Sequence, residues 1–294
     1  MEGLDKFREA FGAFSDNYVI IGGTACEIVM AGTVVRPRAT HDIDMIVIVE
    51  RMTPAFAERF WQFIREGRYH PERRTPTEGE VLKYELYRFV GGLPGYPGMI
   101  ELLSRHPDML GEQGGFIIEP IPVGEDISSL SAIIMDDDYY RFTIKHSVLT
   151  DGLRHADSAA LIALKARAYL NLLHEKAEGR HVNTRDIRKH RADILKIAVI
   201  MEEGTMPAPE SVTVCVKEFV ATIRADWDTL SGPLADALGQ NAAIVDELLE
   251  RLNEMFTSEQ PSFTLEPDFL DHSRRIDYYS EPSFDRFETR RKRG

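Results

Sequence analysis

The sequence predicts an α+β chain: an N-terminal mixed sheet flanked by helices, followed by a C-terminal helical bundle. Three observations predict it. Residues 18–49 read as strand, glycine turn, helix, loop and strand. Further short runs at 82–90, 99–103 and 116–122 have the length of strands, and 132–149 reads as more than one strand. From about Asp157 the apolar period changes to that of helices and stays there. These shifts divide the chain into 1–155, a helical region 156–264 and a polar tail 265–294.

The elements follow in order. Leu4, Phe7, Phe11 and Phe14 recur at helical spacing over 4–15, and Asp16-Asn17 ends that helix. Tyr18–Ile21 is a short buried strand. Gly22-Gly23 turns the chain into a helix over 24–31, which stops near Gly32. The loop 33–41 is basic and contains Pro37. Ile43–Val49 is apolar at nearly every position and so reads as a strand buried on both faces. Thr53-Pro54 caps a helix over 54–66, with Phe56, Phe60, Phe63 and Ile64 on one face. Residues 67–80 are polar and proline-bearing and read as a loop. Asp136-Asp137-Asp138 falls between two expected strands and reads as a solvated turn. Helices are expected at 158–176, 185–203 and 209–226, and in two pieces over 232–256.

Composition bounds the function. Two regions are a natural division for 294 residues. The net charge of −13 excludes a protein that coats nucleic acid with its whole surface, though a local basic patch stays possible. The two cysteines, Cys26 and Cys215, lack metal-ligand spacing, and the nine histidines are scattered, so zinc is not expected. Cys26 falls within an apolar helix and reads as packing. The opening MEGLDKFREAF reads as an amphipathic helix start rather than a signal peptide, and no apolar run approaches membrane-spanning length. A cytoplasmic protein without a membrane partner is the expectation.

The chemistry concentrates at the second strand. Asp42 and Asp44 are two residues apart, so they share one face of a strand while Ile43 takes the other. Two such carboxylates repel unless a cation sits between them, and magnesium takes one or two carboxylates with water and phosphate oxygens. Amides of the Gly22-Gly23-Thr24 turn can approach a phosphate, and the helix they open favours negative charge. Glu101 is the lone acid in Met99-Ile100-Glu101-Leu102-Leu103 and needs a partner. That partner is either a metal or an arginine such as Arg36 or Arg105. Lys165 lies on a mostly apolar helix, where a lysine either reaches for the surface or serves as a point charge on phosphate. Asp186, Lys189, His190 and Asp193 share a helical face at steps of three and four.

Gly22-Gly23-Thr24-Ala25 followed by Asp42-Ile43-Asp44 resembles the signature of the DNA polymerase β-like nucleotidyltransferases. With Arg36-Pro37-Arg38-Ala39-Thr40-His41 leading into the two aspartates, it is similar to the AbiEii/AbiGii toxin family. The eighteen residues between Gly23 and Asp42 exceed what most of the superfamily has. The resemblance covers roughly residues 15–200. It implies a nucleotidyltransferase fold and transfer of an NMP from an NTP. Asp42, Asp44 and Glu101 would hold Mg2+ or Mn2+, and Gly22, Gly23, Thr24 and Lys165 would hold the triphosphate. Asp193 matches an acid of the second helix, with Asp186 as its competitor. The implied acceptor is an RNA end or a protein hydroxyl, and a cognate antitoxin is a possible partner. Two alternatives stand beside it: a silent nucleotide-binding module of the same fold, and an enzyme acting on small molecules such as aminoglycosides. His41-Asp42 also spells the pair of HD phosphohydrolases, but those sites sit on helices, whereas this pair enters a strand.

Overall fold

The computed structural model describes residues 1–71, 85–103, 121–122, 133 and 136–259. Helix α1 (Leu4–Phe11) runs into a single 3-10 turn at Gly12–Phe14. Strand β1 (Tyr18–Ile21), helix α2 (Gly22–Met30) and strand β2 (Asp42–Val47) follow. Next come α3 (Pro54–Glu66), β3 (His70–Pro71), β4 (Glu85–Val90), β5 (Met99–Leu103) and β6 (Ile121–Pro122). Then come α4 (Asp137–Lys145), β7 (Ser147–Thr150) and β8 (Leu153–Ala156). The rest is α5 (Ser158–Ala177), α6 (Thr184–Ile200), β9 (Met206–Ala208), α7 (Glu210–Ala225), α8 (Trp227–Leu238), α9 (Ala242–Met255) and β10 (Phe256–Ser258).

The architecture is α+β. Among the described residues the main sheet has eight strands in the order β3-β4-β5-β2-β1-β8-β7, with β6 on β4. It is mixed: β1 pairs antiparallel with β2, while β2 with β5 and β1 with β8 are parallel. Register separates the two faces. Tyr18 and Ile20 lie opposite Val47 and Met45, and Ile21 lies opposite Asp44. One face therefore carries Tyr18, Ile20, Ile43, Met45 and Val47, and the other carries Asp42 and Asp44.

The first face is covered by α1 and α3. Phe11 meets Phe63 with ring centroids 5.2 Å apart and Phe56 at 5.9 Å, and Tyr18 stacks on Phe56 at 6.4 Å. These rings are fully buried or nearly so. Burial of such rings contributes on the order of 2–3 kcal/mol each. Thr53 caps α3 by accepting from the Phe56 amide, with Pro54 at the first turn, as the sequence indicated. The carboxylate face is left to α2, which packs against α5 and α6. Residues 1–259 form one compact unit, so sheet and bundle meet at α2. No described helix is long and apolar enough to cross a membrane.

Three expectations are corrected. Within 132–149 the described residues are not all strand: Asp137–Lys145 is a helix, and only Ser147–Thr150 is extended. Asp136-Asp137-Asp138 is accordingly no turn between strands. Asp136 caps α4, its side chain accepting from the Asp138 and Tyr139 amides, and the next two acids stand in the first turn where the helix dipole favours them. Residues 153–156, given no element by the sequence, form β8 beside β1. In the expected loop 67–80, His70–Pro71 pairs as a short strand, and 72–80 lie outside the described residues. So do 82–84 and 116–120 of two expected strands, Arg105, the end of the expected helical region at 260–264 and the polar tail 265–294.

Candidate active site

The site is built around the first turns of α2. Gly22 has φ +69°, and a Cβ there would lie 2.0 Å from Asp44 Oδ2. The carboxylate of β2 thus rests directly on the turn out of β1, and only glycine allows both the dihedral and the approach. At Gly23 a Cβ would meet Thr40 Oγ1 at 3.0 Å and Arg38 Nη2 at 3.1 Å. No side chain caps the N-terminus of α2. Thr24 is fully buried, and its hydroxyl donates to the Asp42 carbonyl at 2.5 Å. That hydroxyl ties α2 to the start of β2.

Asp42 and Asp44 are half-buried on the face away from α1 and α3. Asp44 lies in register with Glu101 on β5, and Glu101 lies in register with Arg88 on β4. Glu101 is buried and ion-paired to Arg88. Burial, Glu101 and then Asp42 push the Asp44 carboxyl well above the usual range, while Lys165 pulls the other way. Crowded carboxylates of this kind disfavour full ionisation unless a cation joins them. Among the described residues no three His, Cys, Asp or Glu already close around a cation position. The donor set still fits magnesium, which needs only one or two carboxylates and completes its shell with water and phosphate oxygens.

The bundle supplies the opposite charge. Lys165 on α5 and Asp193 on α6 are both buried, with Nζ and Oδ2 2.8 Å apart. Burial alone would lower the Lys165 pKa, but Cys26 and Asp193 hold it above its ordinary value. Burial likewise opposes ionisation of Asp193, yet Lys165 and then Arg38 keep its carboxyl below the usual range. Arg38 Nε lies 3.7 Å from the same Asp193 oxygen. His190, one turn before Asp193, has a buried Nδ1 without a hydrogen-bond partner. Burial, then Lys165, pushes its pKa down to about 3, so its imidazole is neutral. Cys26 on α2 packs beside Lys165.

Carboxylates thus gather on the sheet side of α2 and cations on the bundle side. No family model, curated protein or solved structure matches this chain.

The structure brings Asp42, Asp44 and Glu101 together and sets Gly22 against Asp44, whereas Gly23 lies against Thr40 and Arg38. It places Lys165 and Asp193 in one pair, and the field of Lys165 reaches Asp44. Asp186 stands apart, bonded to Lys189 at 2.7 Å in a partly exposed pair. Among the described residues the arginine on Glu101 is Arg88 rather than Arg36; Arg105 lies outside them. Its signal was available: Arg88 and Glu101 alternate with apolar neighbours on consecutive strands, and antiparallel pairing sets them opposite. His190 shares its helix face with Asp193, as the spacing indicated, and Cys26 shares α2 with the glycines; the meeting of Arg38 with both sides gave no sequence signal, since it joins the site from the connecting segment.

Proposed function

We propose that the chain is a metal-dependent nucleotidyltransferase that moves an NMP from an NTP to an acceptor hydroxyl. One observation carries this reading: Asp42 and Asp44 on β2 and Glu101 on β5 gather beside the glycine start of α2. That arrangement joins a cation platform to an anion cradle, which is what transfer from a triphosphate requires.

Asp42 and Asp44, with Glu101 beside them, would hold Mg2+ or Mn2+, which when bound supplies charge neutralisation for the triphosphate. Gly22 and Gly23 open α2 without a side-chain cap, so its first amides would be offered to phosphate oxygens. Thr24 fixes the turn against the Asp42 backbone and so sets the distance between cradle and carboxylates. Lys165 is held charged and immobile by Asp193 and adds positive potential from the bundle side. Positioning and electrostatics are the main demands of phosphoryl chemistry, and these residues serve them.

An RNA acceptor is supported by a cavity of about 280 Å³ in the bundle, lined by Tyr169, Lys176, Arg188, Arg191 and Asp226 among others. Its cations suit a phosphate backbone on a protein that is acidic overall. A toxin of a toxin–antitoxin or phage-defence pair is the role we attach to this chemistry, and it rests on the motif resemblance. A second reading is favoured by the Arg88–Glu101 pair. An acid already neutralised by arginine suits a nucleotide-binding module that does not turn over.

Incubation with each common NTP labelled at the α-phosphate, with magnesium and total RNA or total protein, tests the proposal. Label should transfer with the wild type and vanish with Asp44→Ala and with Asp42→Ala. Full transfer by either variant would remove the carboxylate site from the mechanism. NTP binding with no transfer to RNA, protein or aminoglycosides would establish the silent module.

A further inference from the structure

The residue between Gly23 and Asp193 has no role so far. Arg38 belongs to the segment joining α2 to β2, just after Pro37. Its guanidinium lies over the first turn of α2, with Nη2 3.1 Å from where a Gly23 side chain would begin. Its other neighbour is Asp193, at 3.7 Å from Nε. That separation is beyond hydrogen-bond length, and Nε is buried with no hydrogen-bond partner.

Asp193 is engaged elsewhere, since its Oδ2 takes the Lys165 ammonium at 2.8 Å. Arg38 is therefore attracted to a carboxylate whose closest bond belongs to another cation. An arginine carries five donors in a planar fork that matches two oxygens of a phosphate. A buried donor left unmet costs free energy, so such a group marks a place where a partner belongs. The side chain is 37% exposed, which leaves part of the fork open to an arriving ligand.

We infer that Arg38 is a triphosphate-binding residue: it turns from its loose contact with Asp193 to grip phosphate oxygens lying over the start of α2. The inference rests on the nucleotidyltransferase reading for the identity of the anion. It adds a residue from the connecting segment and gives that long segment a purpose, carrying a guanidinium to the seam between sheet and bundle. A phosphate there meets amides from α2 and the fork of Arg38, with Lys165 behind. Asp193 keeps its bond to Lys165 throughout, so the movement leaves no buried carboxylate without a cation.

Calorimetric titration of the full chain with inorganic tripolyphosphate, and separately with ATP and magnesium, tests this on wild type, Arg38→Gln and Arg38→Lys. Arg38→Gln should weaken tripolyphosphate binding by roughly 10- to 100-fold, the effect of losing a hydrogen bond to a charged group. Arg38→Lys should recover part of the loss, because it keeps the charge and lacks the fork. The thermal midpoint of ligand-free Arg38→Gln should match wild type. Unchanged tripolyphosphate affinity in Arg38→Gln, or a wild type that binds no tripolyphosphate, overturns the inference. A lowered midpoint with affinity unchanged assigns Arg38 to the fold and overturns it also. Arg38-dependent tripolyphosphate binding without transfer from any NTP sustains the anion site and overturns the nucleotidyltransferase reading instead.

Discussion

Lys165 and Asp193 form a buried ion pair, Nζ to Oδ2 2.8 Å, between two helices of the bundle. Neither side chain has more than a few per cent of its surface in water. Removing one partner leaves the other as an uncompensated charge in the interior. Asp193→Ala should therefore destabilise the protein by about 3–5 kcal/mol. Replacing both, as Lys165→Met with Asp193→Leu, should recover most of that loss, because no charge is left buried. Urea unfolding of the two variants checks this. Transfer activity should stay lost in the double variant although its stability recovers, which separates the role of the pair in the chemistry from its role in the fold.

His190 gives stability a pH dependence whose sign is fixed. Its folded pKa is pushed down to about 3, whereas an unfolded histidine titrates near 6.5. Between those values the unfolded chain takes up a proton that the folded chain refuses. Stability should fall as pH drops from about 6.5 toward 3, by an amount on the order of a few kcal/mol. His190→Gln should flatten this fall. Urea midpoints for both proteins at pH 7.5 and 4.5 decide it, since the carboxylates titrate alike in the two.

The carboxylate side of the site was legible because strand geometry is local. Asp42-Ile43-Asp44 states by its spacing that both acids share a face, and Glu101 stands out as the lone charge of its run. The pairing of Asp44 with Glu101 then needs only β2 and β5 to be neighbours. What failed was the choice between helix and strand for one short apolar segment. Tyr139, Tyr140, Phe142 and Ile144 have strand propensity, yet Tyr139, Tyr140, Phe142 and Thr143 are the buried set, at helical spacing. The start signal was Asp136 with acids after it, which serve equally in a turn or at a helix N-cap. Asp151-Gly152, with φ of 49° and 79°, is a hairpin signal that explains β7 and β8. Arg38 was invisible for another reason: its meeting with Gly23 and Asp193 depends on how a loop and a bundle pack.

Gly22 should tolerate no side chain. Its φ of +69° costs an L-residue about 1–2 kcal/mol, and a Cβ would strike Asp44 Oδ2 at 2.0 Å. Gly22→Ala should lower stability by at least that amount and abolish transfer by displacing Asp44. Gly32, with φ +74° and nothing within 4 Å of its Cβ position, is the control. Gly32→Ala should show a similar conformational cost and near-normal transfer.

Thr24 is predicted to matter through its hydroxyl and not its methyl. The bond from Oγ1 to the Asp42 carbonyl is buried, so Thr24→Val should cost about 1–3 kcal/mol. Thr24→Ser keeps the donor and should lose less stability. Nucleotide affinity should follow the same order, because the bond sets Asp42 against the turn. Thermal melts and ATP titrations of the two variants give the comparison.

Arg88 and a metal ion compete for Glu101. Arg88 is ion-paired to that carboxylate, and Glu101 in turn crowds Asp44. Truncating the arginine removes the cation that now neutralises the group. If Glu101 is a metal ligand, Arg88→Gln should bind Mn2+ more tightly, by roughly tenfold for about 1.4 kcal/mol of released attraction. The ligand-free protein should lose stability at the same time, since a buried carboxylate is left without its partner. Added Mn2+ should then restore the thermal midpoint in Arg88→Gln more than in wild type. Glu101→Gln on the same background should erase both the gain in affinity and the rescue. If Arg88→Gln instead binds Mn2+ no better than wild type while losing stability, the pair is structural and Glu101 leaves the metal site to Asp42 and Asp44.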